Sequence, residues 1–409
     1  MRSQSPVIAV VFFLLATTAH AQPVPQGPPQ PGQAVAPRQA PRSAEVAPDG
    51  RVTFRLEAPA ATAVLVNGDW PGGRGLAMSK DASGLWTLTT GPLAAEIWSY
   101  TYAIDGVTAI DPGNVRVVRD GARRLNTVAV PGAGSALYQV AKVPHGTVAA
   151  VWYPSPTQKT PRRMLIYTPP GYEGGNTAYP VLYLFHGGGG DEEAWNELGA
   201  ASTILDNLIA QGKARPMIVV LPNANWHDSS VLETGGARTT SPAAAAARPG
   251  APAIPAQDYT IAEQEIVNGI IPHVEAHYRV APGRDQRAIA GLSMGGGITI
   301  AVGLKRLDLF SAVAQFSTGM FGGAGPAYGP FDVETIAPGF LKDAPATNAK
   351  LKVLYFSCGD DDPRMPFQKK VADTFRAAGV TLTFRNFAGA HEWRVWRASL
   401  ADVAGLLFR

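Results

Sequence analysis

Gly291-Leu292-Ser293-Met294-Gly295 is the segment of this chain with the clearest capacity for chemistry. Arg287-Ala288-Ile289-Ala290 before it reads as a short buried strand and the dozen residues after it as a helix, so the serine falls at a strand-to-helix turn. Such an elbow needs small residues around the nucleophile. It lifts the Oγ clear of the sheet and aims the following N–H at a developing oxyanion. With 44 glycines in 409 residues, Gly-x-Ser-x-Gly also arises by chance, and its context is what counts. A serine hydroxyl is a poor nucleophile without a base to take its proton. Only one histidine, His391, lies downstream of Ser293. It follows the strand-like Leu382-Thr383-Phe384-Arg385-Asn386-Phe387, so a loop can carry it to the carboxyl end of a sheet.

The base in turn needs a carboxylate to hold its tautomer and stabilise imidazolium, presented directly after a strand. Asp360, Asp361 and Asp362 all qualify, because the apolar run Leu351 to Phe356 leads through Cys358-Gly359 into them. Spacing does not choose within the triplet. Asp308, Asp332, Asp343 and Asp373 read as surface residues of helices or loops. The oxyanion needs two backbone donors. Met294 supplies one, and the loop His186-Gly187-Gly188-Gly189-Gly190, with Gly188 as the candidate, supplies the other. His186 is expected to brace that loop. No Gly-Lys-Ser/Thr follows the glycine run and no dinucleotide context surrounds it, so a phosphate site is not expected. No histidine and acid cluster has zinc spacing, and neither metal nor cofactor is expected.

These groups need a rigid frame. Met164 to Tyr167, Val181 to Phe185, Met217 to Leu221, Ala288 to Ala290 and Leu351 to Phe356 are apolar runs suited to a mostly parallel sheet. Helices are expected at about 201–213, 261–278, 294–306, 366–378 and 393–408, the second opened by Thr260 and Glu263 in capping-box spacing. The alternation predicts a doubly wound α/β domain over 143–409. The Ala/Pro-rich stretch 228–257 has too few large apolar residues to pack and is expected to be a loop, a candidate lid over the site.

The first third differs. Residues 1–21 run from Arg2 through an apolar core to Ala19-His20-Ala21, an export signal expected to be cleaved after Ala21 and too short to span a bilayer. Residues 22–44 form a Pro/Gln-rich linker. Short alternating runs at Val52 to Leu56, Ala63 to Val66, Leu85 to Leu88 and Trp98 to Ile104 predict a small all-β, immunoglobulin-like sandwich over 45–125, joined by a connector, 126–142. Trp70, Trp86, Trp98, Tyr100 and Tyr102 serve either as sandwich core or as a sugar-stacking face. Loss of the signal leaves 34 basic against 32 acidic residues, a formal +2, with no charge run pointing to nucleic acid or acidic lipid. Cys358, the single cysteine, is expected to be a small buried hydrophobe.

Residues 45–114 resemble the N-terminal sandwich modules of glycogen-branching and debranching enzymes, through Gly68-Asp69-Trp70, Gly84-Leu85-Trp86 and Asp105-Gly106 to Asp111-Pro112. From 143 onward the chain resembles the esterase D-like α/β-hydrolases, which include feruloyl esterases, S-formylglutathione hydrolases, mycolyltransferases and siderophore esterases. Val143-Pro144-His145-Gly146, Tyr167-Thr168-Pro169-Pro170-Gly171-Tyr172, Leu184-Phe185-His186-Gly187-Gly188-Gly189, Val220-Leu221-Pro222-Asn223, Ile271-Pro272 with Ala276-His277-Tyr278-Arg279, Ala290 to Gly296 and Gly389-Ala390-His391-Glu392-Trp393 carry that resemblance in order.

The resemblance implies an α/β-hydrolase fold. It favours Asp362, in Gly-x-x-Asp after Gly359, as the acid, with Asp361 as the fallback. The stretch 228–257 looks longer than its counterpart in typical feruloyl esterases. Together these readings predict a secreted or periplasmic serine carboxylesterase in which Ser293 attacks, His391 moves the proton, Asp362 orients it and the Met294 and Gly188 N–H groups hold the oxyanion. The expected substrate is a hydroxycinnamoyl or related ester on a polysaccharide. One alternative is a siderophore trilactone, an anionic ferric catecholate met by Arg364, Arg394 and Arg397. Another is an inactive, glycan-binding relative.

Overall fold

The computed structural model describes residues 40–226, 258–322 and 331–409. The export segment 1–21, most of the linker and the candidate lid 228–257 lie outside the described residues.

The first layer pair is the sandwich. One sheet orders β1 (Glu45–Val46), β2 (Val52–Glu57), β6 (Leu85–Thr89) and β5 (Ser79–Lys80) as β1-β2-β6-β5. The facing sheet orders β4 (Leu76–Ala77), β3 (Val64–Gly68), β7 (Ile97–Ile104), β10 (Arg123–Ala129) and β9 (Val117–Asp120) as β4-β3-β7-β10-β9, with β8 (Val107–Ala109) also on β7. Alternation along β2 and β3 sends Val52, Phe54, Leu56, Val64 and Val66 inward, which is why these short runs pair as half-buried strands. Trp70, Trp86, Trp98, Tyr100 and Tyr102 are all buried, Phe54 lying stacked with Trp70 and edge-on to Tyr100. They are the core of the sandwich, so the sugar-stacking reading of these five rings is corrected.

Both expected edges of the sandwich shift. Ser43 is buried, its Oγ 3.0 Å from the Tyr102 hydroxyl and accepting the Arg55 N–H, so the linker ends earlier than 44. At the other edge strand β10, paired with β9 in a hairpin, runs past position 125 to Ala129, so the start of the expected connector belongs to the sandwich. The hairpin's exposed arginines hid the period-2 pattern.

The second unit is an eight-stranded sheet made of β11 (Thr147–Tyr153), β12 (Arg162–Thr168), β13 (Val181–Phe185), β14 (Ile218–Pro222), β15 (Arg287–Leu292), β16 (Ala312–Phe316), β17 (Val353–Gly359) and β18 (Thr383–Phe387). Its order is β11-β12-β14-β13-β15-β16-β17-β18; β12 is antiparallel to both of its neighbours, β11 and β14, and every other pair is parallel. Strands β13, β14 and β16 are buried at every position, as a sheet covered on both faces requires. Helices Ala201–Ala210 and Trp393–Ala404 cover one face; Met294–Lys305 and Met365–Ala377 cover the other.

The expected helix near 261–278 is Thr260–Gln264, a π-helical turn Glu265–Ile270, and Ile271–His277. Its predicted capping box does not form. Thr260 is already helical and its N–H goes to Asp258, while Glu263 reaches sideways to Lys305 and Arg306. Asp258, two positions earlier, does the work assigned to Thr260. The π turn coincides with buried Glu265, which accepts hydrogen bonds from Tyr153, Ser155 and Thr157 and so ties the helix to the end of β11.

Candidate active site

Ser293 sits between β15 and helix Met294–Lys305 with φ 51° and ψ −111°, a conformation costly for a residue with a Cβ. Three contacts hold it there. Its N–H donates to Phe316 O at 2.8 Å, its carbonyl accepts from Gly297 N–H at 3.2 Å, and the parallel ladder of β15 with β16 fixes the strand below. The flanking glycines are required by space. A Cβ on Gly295 would stand 2.5 Å from the carbonyl oxygens of Phe185 and His186, and one on Gly291 would run into the backbone of Gly295.

The three separated side chains meet. His391 Nε2 is 2.9 Å from Ser293 Oγ, and His391 Nδ1 is 2.7 Å from Asp362 Oδ2. A carboxylate only accepts, so Nδ1 carries the proton and Nε2 is left to accept the serine O–H. Of the three aspartates that the residues alone left open, Asp362 alone is buried and faces the imidazole; Asp360 and Asp361 are exposed. The backbone explains the choice. Asp360 and Asp361 donate their N–H groups to Phe387 O and Gly389 O, which zips the acid loop to the base loop and turns the third side chain inward. Gly359 is needed for that approach, because a Cβ there would meet the Ala390 carbonyl at 2.5 Å.

Burial raises the pKa of Asp362, but the hydrogen bond and charge of His391, with help from Arg364, outweigh it and hold the carboxyl at about 2. Arg364 donates to the other carboxylate oxygen through its N–H at 3.0 Å and its guanidinium at 3.2 Å. Arg364 is therefore spent on the acid. Arg394 is paired with Glu392, and Arg397 is buried against Glu96 and the carbonyls of Ile97 and Leu198. The expectation that these three cations would greet an anionic substrate is corrected: each has an internal partner.

The glycine loop follows β13 directly. Gly187 packs on Leu292 and Ser293, and Gly188 faces open space. Met294 opens the helix next to Ser293. These are the positions the two proposed oxyanion donors occupy.

His186 braces the loop, as expected. Its Nδ1 donates to Gly187 O at 2.7 Å and its Nε2 accepts the Ala224 N–H at 2.9 Å, so it is neutral and fully engaged. Burial drives its pKa down to about 4. Below pH 6.5 the unfolded chain takes up a proton that the folded chain refuses until about pH 4, so stability falls with falling pH across that window, by on the order of 3 kcal/mol. Urea unfolding at pH 7.5 and 4.5 should show this loss in the wild type and a smaller one in His186→Gln, which keeps an acceptor for Ala224. Equal losses in both would contradict the assignment.

Two tryptophans to which the sequence assigned no role, Trp393 and Trp396, pack beside the base. Trp396 stands edge-on to His391 at 4.9 Å, and Trp393 links it to Trp195, whose indole donates to Phe185 O at 2.9 Å. This relay of rings joins the base to the end of the strand that carries the glycine loop. The signal was present in Trp393-Arg394-Val395-Trp396 at helical spacing, but such a pair usually reads as core. Cys358 is buried beside Ser317, and burial pushes its thiol up to about 12, which makes it the inert hydrophobe expected.

Several known proteins are similar to this chain. Residues 155–407 match the family described as "Putative esterase". An "Endo-1,4-beta-xylanase/feruloyl esterase" from Xylanibacter ruminicola is 30% identical over 368 residues, covering 88% of this chain and 45% of that protein. An esterase of Mycobacterium tuberculosis is 29% identical over 157 residues, covering 37% of this chain and 28% of that protein. The chain thus spans less than half the length of these curated relatives. Among solved structures, a ferulic acid esterase is 29% identical with a TM-score of 0.50, covering 64% of this chain and 97% of that one. The enterobactin esterase of Shigella flexneri, solved in the presence of 2,3-di-hydroxy-N-benzoyl-glycine, is 18% identical with a TM-score of 0.58 over 87% of this chain and 92% of that one, a likeness of fold. Matched over more than half its length, the chain belongs to this esterase family, and its eight-stranded unit has the α/β-hydrolase fold of carboxylic ester hydrolases.

Proposed function

We propose that this chain is an exported serine carboxylesterase that cleaves hydroxycinnamoyl, feruloyl-type esters of polysaccharide through an acyl-serine intermediate. The observation that carries the reading is the unbroken hydrogen-bond chain from Ser293 through His391 to Asp362. Ser293 Oγ attacks the acyl carbon while His391 Nε2 takes its proton, and the buried Asp362 carboxylate stabilises the imidazolium. The Met294 and Gly188 N–H groups stabilise the carbonyl oxygen as it becomes an oxyanion. His391 then returns the proton to the departing alcohol, leaving the acyl group on Ser293. Water, deprotonated by His391, releases the acid and restores the serine.

The names of two relatives, a xylanase/feruloyl esterase and a ferulic acid esterase, support the acyl group and the polysaccharide setting. A trilactone substrate is disfavoured because Arg364, Arg394 and Arg397 are held by Asp362, Glu392 and Glu96. Methyl ferulate, an acetylated xylan and a ferric trilactone should be compared by kcat/KM. Methyl ferulate is expected to lead by about tenfold or more. A lead for the trilactone, or no turnover of the ferulate, would overturn the assigned substrate class.

A further inference from the structure

We infer that the N-terminal sandwich is a working part of the catalytic centre: its β9–β10 hairpin, through Arg119 and Gly121, positions the glycine loop that offers the second oxyanion donor. The inference rests on the serine-esterase reading above and assigns positioning residues that lie outside the hydrolase sheet.

The glycine loop is gripped from two sides. On the hydrolase side, Gly187 O accepts from His186 and from the Gly190 N–H, and Gly190 O accepts from Asn225 at 2.8 Å. On the sandwich side, the tip of the β9–β10 hairpin lies directly on the loop. A Cβ on Gly121, which has φ +59°, would strike the Gly189 carbonyl, and one on Gly190 would stand 3.0 Å from Asp120 Oδ1. Gly188 sits between these anchors without a side chain of its own to fix it. The direction of its N–H is set by its neighbours.

The segment just after the loop is held by charge. Arg119 pairs with Asp191 and lies 3.6 Å from both Glu192 and Glu193, while Arg163 of β12 takes Glu192 and Glu193 from below at 2.5 Å. The side chains of Asp191 and Glu192 have no solvent exposure. Two arginines thus serve three carboxylates at the junction, and removing Arg119 leaves buried negative charge directly after the oxyanion loop.

A second contact of the sandwich reaches the other half of the site. Arg397, on the helix that starts two residues after His391, donates to Ile97 O at 2.7 Å and pairs with Glu96 at 3.2 Å, at the entry to β7. Two separate parts of the sandwich therefore each bear on a segment adjoining the triad or its oxyanion loop. A tethered binding module has no need of either contact.

The test compares Arg119→Ala, Arg119→Lys and Gly121→Ala with the full-length wild type on p-nitrophenyl acetate, rates being expressed per Ser293 titrated to completion with a fluorophosphonate. An oxyanion donor acts on the transition state, so Arg119→Ala should lower kcat by about 10- to 100-fold with KM within about threefold. Arg119→Lys, which keeps the charge, should recover part of that loss. Gly121→Ala, which leaves the ion cluster intact and displaces the Gly189 carbonyl, should lose kcat in the same way. Should Arg119→Ala yield no folded protein, the other two variants carry the same test. Wild-type kcat per titrated serine in all variants, even with a lowered Tm, would overturn the inference and leave the sandwich a stabilising support. A wild type whose Ser293 is not labelled would instead overturn the serine-esterase reading itself.

Discussion

Ser293→Ala should lose about 10⁵-fold or more in kcat while keeping its fold, because removing the nucleophile of a triad leaves only binding and oxyanion stabilisation. The backbone already tolerates a Cβ at φ 51°, and alanine removes just the hydroxyl and its bond to His391. Far-UV circular dichroism and a melting curve close to wild type establish that the fold survives. Ser293→Gly should be more stable to unfolding than Ser293→Ala, by about 1 kcal/mol, since glycine relieves the cost of that conformation. An alanine variant that still turns over ester at a tenth of the wild-type rate would remove the serine from the mechanism.

Asp362→Asn should cost about 10³- to 10⁴-fold in kcat, whereas Asp361→Asn and Asp360→Asn should stay within about twofold. An asparagine amide donates to Nδ1 where the carboxylate accepted, which moves the imidazole proton to Nε2 and leaves nothing to take the serine's. The change also strips Arg364 of its partner at 3.2 Å. Neither neighbour can substitute. Asp360 points to Asn386, and the main chain of Asp361 is bound to Gly389 O. Because the Asp362 carboxyl is held at about 2, its ionised form persists throughout the working range, and its contribution to stability is lost only as pH falls from about 4 toward 2. The comparison is made in kcat on one soluble ester at neutral pH; a large loss in Asp361→Asn with little in Asp362→Asn would reverse the assignment.

The legible parts of this molecule are those dictated by local rules. The runs Val181 to Phe185 and Arg287 to Leu292 are strands buried on both faces, and such strands declare themselves as unbroken apolar runs. The elbow was visible because its geometry demands glycine at fixed places around Ser293. Among Asp360, Asp361 and Asp362 the residues alone were silent, since direction within a three-residue loop is set by pairing with a segment about 28 positions away. Family resemblance had to favour one.

What failed did so for tertiary reasons. Thr260 and Glu263 have capping-box spacing, yet Lys305 and Arg306 draw Glu263 away. Arg397 reads as a cation available to an anionic substrate, but the sandwich covers it and supplies its acid from Glu96, some 300 positions earlier. Arg119 lies inside the expected sandwich, and nothing in its local sequence marks it apart from the arginines around it. Its role follows only once β9 is seen against the glycine loop.

The most direct measurement is the acyl-enzyme itself. Full-length protein mixed with p-nitrophenyl acetate, quenched in acid within the burst and digested, should yield an acetylated peptide whose fragment ions place the group on Ser293, and the adduct should disappear in Ser293→Ala. Full turnover with no adduct trapped there, or acetyl found on another side chain, would contradict the account.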